Sequence, residues 1–134
     1  MLTLDTSALI AILNRRDPHH SRVRRERDNH RGPYFVPAGI LSEITYLVAR
    51  ALGPVPLDAL LQDLESGAYT LDCGERDFTR IRQLVSRYDD LSLGFADAAV
   101  IACAERRTGH VLTLDRRDFD VVARGERTIT VLPA

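Results

Sequence analysis

Four carboxylates, Asp5, Glu43, Asp97 and Asp115, are the residues of this chain best suited to chemistry. Asp5 directly follows the apolar run Met1–Leu4, and Asp115 closes the similar run Leu112-Thr113-Leu114, so each is expected where a strand hands over to a helix. Capping of that helix is the competing assignment for both, because Asp favours the N-cap position. Asp97 stands in the first turn of the most apolar helical run of the sequence, Phe95–Ala104. An unpaired ionised carboxylate buried there costs several kcal/mol or takes up a proton, unless the turn opens onto a site holding a cation. A helix-start aspartate favoured by the macrodipole is the alternative. Glu43 has Gly39, Ile40, Tyr46 and Leu47 as its helical neighbours and is expected to lean on an apolar surface, either as a site residue or as an ordinary helix-edge glutamate.

Gathered on one rim, four such carboxylates make an oxygen cage suited to Mg²⁺ or Mn²⁺, because like charges so crowded call for a divalent counter-charge. A cation held this way keeps open positions, which suits hydrolysis of a phosphodiester: it polarises the phosphate and lowers the pKa of an attacking water. Thr6 and Ser7, next to Asp5, offer hydroxyls to orient a carboxylate or the scissile phosphate, or to cap the helix.

The elements that must position these residues follow from apolar spacing. Strands are predicted over Met1–Leu4, Tyr34–Val36, Ala68–Cys73, Val111–Leu114 and Thr128–Leu132. Helices are predicted over Ser7–Leu13, Pro18–Arg31, Ala38–Leu52, Pro56–Glu65, Glu75–Tyr88, Phe95–Arg106 and Arg116–Val122, with Gly32-Pro33, Gly53-Pro54, Gly67 and Gly109 as stops. Short apolar strands alternating with helices imply parallel pairing and right-handed crossovers, hence an α/β fold, a three-layer α/β/α sandwich around a central parallel sheet. In such sheets ligands bind outside the carboxyl ends of the strands, where Asp5 and Asp115 are expected. With 134 residues and no shift of composition along the chain, a single domain over 1–134 is expected.

Composition closes several other chemistries. All 18 basic residues are arginine, so a P-loop, a Schiff-base enzyme, a protein kinase and a response-regulator receiver, each of which needs a lysine, are excluded. Phosphatases with an Asp-x-Asp nucleophile fail as well, because Thr6 and Ser7 follow Asp5. Cys73 and Cys103 do not make a disulfide framework or a four-ligand zinc site, and both are expected to be small buried hydrophobes. There is neither a signal peptide nor an apolar stretch of membrane-spanning length, so no membrane partner and a cytoplasmic location are expected.

Leu4-Asp5-Thr6-Ser7-Ala8-Leu9-Ile10, Ser42-Glu43-Ile44, Leu93-Gly94-Phe95-Ala96-Asp97-Ala98-Ala99 and Leu112-Thr113-Leu114-Asp115-Arg116-Arg117-Asp118-Phe119 resemble, in order and spacing, the PIN-domain ribonucleases of the VapC toxin type. The resemblance runs from Met1 to about Val131. It implies a single PIN domain and a metal-dependent endoribonuclease, the toxin of a type II toxin–antitoxin system, with Mg²⁺, or Mn²⁺, as cofactor. On it, Asp5, Glu43, Asp97 and Asp115 are the catalytic and metal-binding positions, and Asp118 falls on an additional acidic position of some members. It further implies an RNA substrate, a cognate VapB-type antitoxin and a homodimer. A non-catalytic PIN domain that binds RNA or serves as a scaffold is the rival reading.

The net charge of −1 is a sum of unlike parts: Arg15–Arg31 holds seven arginines against three acids, leaving eleven arginines and sixteen acids elsewhere. Arg22, Arg24 and Arg25 are therefore candidates for RNA phosphate contacts, with a solvated helix face as the alternative. The histidines and aromatics are scattered and are assigned mainly to surface and core respectively. Tyr46, Leu47, Leu57, Leu60, Leu61 and Leu64 line either core or a groove for an antitoxin helix, and core is expected for half of them.

Overall fold

A computed structural model describes residues 1–134. The five strands are β1 (Leu2–Leu4), β2 (Tyr34–Pro37), β3 (Thr70–Asp72), β4 (His110–Leu112) and β5 (Thr130–Leu132). The helices are α1 (Thr6–Leu13), α2 (His20–Asn29), α3 (Leu41–Leu52), α4 (Pro54–Ser66), α5 (Phe78–Arg87), α6 (Phe95–Arg106) and α7 (Arg116–Glu126), with short 3-10 turns at Ala38–Ile40 and Asp89–Leu91. The expected sequence of strands and helices is the observed one. Shifts are confined to element ends: α4 begins at Pro54, the first residue after the stop at Gly53, and α7 runs on to Glu126. Proline is tolerated in a first helical turn, where its missing N–H is not needed.

The sheet has the order β3-β2-β1-β4-β5, and every pairing is parallel. From β1 the chain steps outward to β2 and β3, then returns across the sheet to β4 and β5. Right-handed crossovers taken in opposite directions put α1–α4 on one face and α5–α7 on the other. The sandwich follows from this winding, and it places the point where the strand order reverses between β1 and β4, where crevices open at the carboxyl ends. No helix is long and apolar enough to cross a membrane.

One cluster of 30 buried apolar residues fills the layers, and α6 lies at its centre, touching β1, β2 and β4. Every residue of α6 from Ala98 to Ala104 is buried, in keeping with its unbroken apolar and small side chains. Small residues also set close approaches. A Cβ on Gly39 would lie 2.7 Å from Ala99 Cβ and 3.3 Å from the Phe95 ring, so the chain entering α3 is packed directly on α6.

Two ionic clusters tie the helices together. Glu126, at the end of α7, accepts hydrogen bonds from Arg80 and Arg87 of α5 and from the Tyr88 hydroxyl at 2.7–2.8 Å. Although burial opposes ionisation, those bonds hold its carboxyl well below the usual range, at about 2. Asp72 and Asp77 are both buried and bind Arg106, and Asp72 also binds Arg107. Cys103 is buried as expected, but Cys73 is exposed, because it lies just past the end of the edge strand β3.

Candidate active site

Asp5 leaves β1 at its carboxyl end and opens α1, beside β4 at the reversal point. Asp5 is 5% exposed, yet its carboxylate forms no capping hydrogen bond, so the capping assignment fails. Instead Oδ2 accepts the hydroxyls of Thr113 at 2.8 Å and Ser7 at 3.2 Å. Those hydroxyls are 3.1 Å apart and are pinned in turn: Ser7 Oγ accepts the Leu114 N–H at 2.9 Å and Thr113 Oγ1 accepts the Asp115 N–H at 3.0 Å. Burial raises the pKa of Asp5, opposed by the two hydroxyls and assisted by the negative charge of Asp115. Of the two neighbours expected to orient a carboxylate or cap the helix, Ser7 orients Asp5. Thr6 has a buried hydroxyl with no hydrogen-bond partner.

Thr113 had no place among the expected site residues. Its signal was the echo of Leu2-Thr3-Leu4-Asp5 in Leu112-Thr113-Leu114-Asp115, which suggests that the two aspartates are equivalent. The register contradicts this. Leu4 pairs with Leu112, so Asp5 lies level with Thr113, and Asp115 falls two residues further along, outside the strand. Asp115 occupies the position before α7 without making a capping bond.

Asp97 stands in the first turn of α6, half-buried at the same rim. Its carboxyl is pushed up to about 6, first by burial and then by the negative charges of Asp5, Asp115, Asp118 and Glu43. That single effect joins all the acidic candidates to one site: Glu43 from the first turn of α3, Asp118 from the first turn of α7 and Asp115 before it. Glu43 does not lean on an apolar surface. It is solvent-exposed, with Ile44 and Val48 taking the buried face of α3.

The electrostatics of this group differ from those of the acids that tie the helices together. Asp72, Asp77, Glu105, Asp120 and Glu126 are each paired with arginine, whereas none of the ion pairs includes Asp5, Glu43, Asp97, Asp115 or Asp118. As the side chains stand, no three carboxylates already enclose one point as a finished metal cage. The donor set nevertheless fits a hard divalent cation: it is all oxygen, it lacks a cationic partner, and its negative charges add to burial in raising the pKa of the Asp97 carboxyl. Arg22, Arg24 and Arg25 lie on α2, away from this rim, and are exposed; only Arg24 has an acidic neighbour, Asp28 at 3.9 Å.

Of the expected groove residues, Leu60 is buried and Leu57 and Leu64 pack on the core, while Tyr46 and Leu61 are exposed. The largest groove lies elsewhere, an open space of about 860 Å³ between the end of α1, α2 and the α3–α4 turn, lined by Leu13, Arg15, Arg16, Arg24, Leu52 and Val55 among others.

An all-parallel sandwich with acidic first turns gathered at the reversal of strand order defines an α/β protein with an acidic site at the carboxyl ends of its strands. The PIN domain profile matches residues 2–125, and the chain belongs to the PIN domain family. Ribonuclease VapC26 of Mycobacterium tuberculosis (strain ATCC 25618 / H37Rv) is 36% identical over 135 residues, covering 98% of this chain and 100% of its own. Among solved structures, VapC20 of Mycobacterium tuberculosis, described as a Sarcin-Ricin loop cleaving toxin, superposes with a TM-score of 0.79 at 20% identity, covering 91% of this chain and 95% of that one. FitAcB from Neisseria gonorrhoeae does so with a TM-score of 0.64 at 20% identity, over 98% and 96% of the two chains.

Proposed function

We propose that this chain, as one PIN domain over residues 1–134, is a divalent-metal-dependent endoribonuclease and the toxin of a toxin–antitoxin pair. The observation that carries the reading is the set of five acids gathered at one rim, none of which forms an ion pair with arginine, with the Asp97 carboxyl pushed up to about 6. Kinship with a ribonuclease of the VapC type over the full length supports RNA as the substrate.

In this reading Asp5 and Asp97 are the principal metal ligands, and Glu43 and Asp115 complete the set directly or through water. Asp118 supports them from the next turn. Thr113 and Ser7 both donate to Oδ2 of Asp5 and so fix the orientation of its carboxylate. Thr6 is a supporting residue beside Asp5; its hydroxyl is buried without a protein partner, so it does not reach the substrate itself. Mg²⁺, or Mn²⁺ in its stead, would supply the acidity that polarises the phosphate and activates water. The exposed arginines of α2, Arg22, Arg24 and Arg25, add phosphate contacts away from the scissile bond. A VapB-type antitoxin as inhibitor, a homodimer and a cytoplasmic setting complete the reading.

Purified protein incubated with RNA tests it. Cleavage is expected with Mg²⁺ or Mn²⁺ and is expected to stop in EDTA. Asp5→Asn and Asp97→Asn are expected to fold and to cut nothing. Full activity in Asp5→Asn, or cleavage indifferent to EDTA, overturns the mechanism.

A further inference from the structure

Phe78 and Phe95 form a stacked pair on the surface, with ring centroids 6.4 Å apart and planes inclined by 22°. They are 58% and 50% exposed, although a phenylalanine has no polar end that gains from contact with water. Neither ring belongs to the core cluster. Phe95 opens α6 two residues before Asp97, and Phe78 opens α5, so the pair borders the acidic rim at the same carboxyl ends of the strands. Its position is fixed from below. The Phe95 ring packs over Gly39, where a Cβ would come within 3.3 Å, and a small cavity beneath both rings is closed by Pro37, Gly39 and Ile81.

Exposed apolar surface of this kind marks an interaction site. We propose that Phe78 and Phe95 are a stacking platform for a nucleobase of the RNA strand, close to the bond that is cut. The proposal rests on the ribonuclease reading above and adds a positioning element to it. A nucleobase is the occupant that the surroundings favour. Flat rings receive a flat base, and the adjoining loop, Gly74-Glu75-Arg76-Asp77, is polar rather than aliphatic. The acidic rim itself repels the RNA backbone until a cation is bound, so an uncharged contact beside it retains the strand without adding to that repulsion. Stacking is also tolerant of sequence, since every base has a π-face.

The test uses the Asp5→Asn background, which the proposed function makes inert, and two fluorescently labelled probes of equal charge: a 12-nucleotide oligoadenylate and an abasic ribose-phosphate 12-mer. The oligoadenylate is expected to bind about 10-fold more tightly than the abasic oligomer, the scale of one stacked base. Phe78→Leu/Phe95→Leu, which keeps the surface apolar, is expected to bring that ratio close to unity. The chain contains no tryptophan, so Phe95→Trp introduces a sole reporter whose emission is expected to be quenched by the oligoadenylate and not by the abasic strand. An unchanged ratio in the double-leucine variant, or equal quenching by both probes, overturns the platform while leaving the ribonuclease reading standing. So does a sedimentation experiment in which the variant converts a dimer to a monomer with the ratio unchanged, which assigns the rings to a protein interface. Failure of both probes to bind overturns the ribonuclease reading and the platform with it.

Discussion

The Thr113 hydroxyl donates to Asp5 Oδ2 at 2.8 Å and accepts the backbone N–H of Asp115 at 3.0 Å, so one fully buried threonine orients the carboxylate of β1 and the loop that carries the acid after β4. The link is possible because β1 and β4 pair in parallel with Leu4 opposite Leu112, which puts Asp5 and Thr113 at the same level. Proton and lone pair of this hydroxyl are both in use, and no other side chain touches Asp5 so closely.

Replacing Thr113 by valine keeps the shape and removes the hydrogen bonds. Thr113→Val is expected to fold with a loss of about 1–3 kcal/mol, since it leaves a part-buried N–H and a buried carboxylate short of partners. Activity on RNA is expected to drop about 10–100-fold, as for other groups that orient a metal ligand. Thr113→Ser, which restores the hydroxyl, is expected to recover most of it. Chemical denaturation and kcat/KM on the three proteins separate the two effects.

Two carboxyls shape the stability of the metal-free protein with opposite signs. Asp97 titrates near 6 when folded against 3.8 as a free carboxyl, so the folded state holds the extra proton and stability falls as the pH rises from about 4 to 6. Glu126 titrates near 2 against 4.5, so its contribution is complete above about 4.5 and is lost as the pH falls toward 2. Thermal melts in EDTA are expected to show a maximum between these limbs. Asp97→Asn is expected to flatten the upper limb alone, and Glu126→Gln the lower one alone. Added Mg²⁺ is expected to raise the melting temperature most at neutral pH, where the site carries its full charge.

Gly39 governs how closely the start of α3 approaches α6. A Cβ there would stand 2.7 Å from that of Ala99, so Gly39→Ala is expected to cost about 1–3 kcal/mol and to move Glu43 away from Asp97. Adding Ala99→Gly removes the collision and is expected to return activity, despite the lower helix propensity of glycine. Assaying single and double variants under identical conditions reads the rescue.

Arg22, Arg24 and Arg25 are exposed on α2, where Val23 alone is buried. If they contact phosphates, changing all three to glutamine is expected to weaken RNA binding and to reduce the slope of log K against log salt by about 2, at roughly 0.7 per phosphate on a single strand. The same slope in both proteins would mark a solvated helix face. Binding isotherms on Asp5→Asn protein over a range of salt concentrations make the measurement.

Periodicity carried the order of elements and the parallel sandwich, because buried parallel strands and the near-uniformly apolar α6 leave strong local signals. The acids were legible because charge in an apolar run is costly. Thr113 was not, since a threonine in a strand is unremarkable until the register between β1 and β4 is known, and register is a property of pairs. Cys73 was misplaced for a related reason: its exposure depends on where the edge strand stops. Phe78 and Phe95 are 17 positions apart and read as core from spacing alone, whereas their stacking on the surface is set by the packing of α5 against α6.

The central strand of the sheet, β1, precedes the other four strands in the chain, yet its partner β4 follows only after more than a hundred residues. At about 5–20 residues per second, a ribosome needs roughly 5–20 s to travel from Asp5 to Asp115. During that interval Asp5 has neither Thr113 to orient it nor Asp115 beside it, and the strand edge that should meet β4 is bare. Topology thus acts as a timer: the site closes only once Thr113 and Asp115 have been made and β4 has docked on β1.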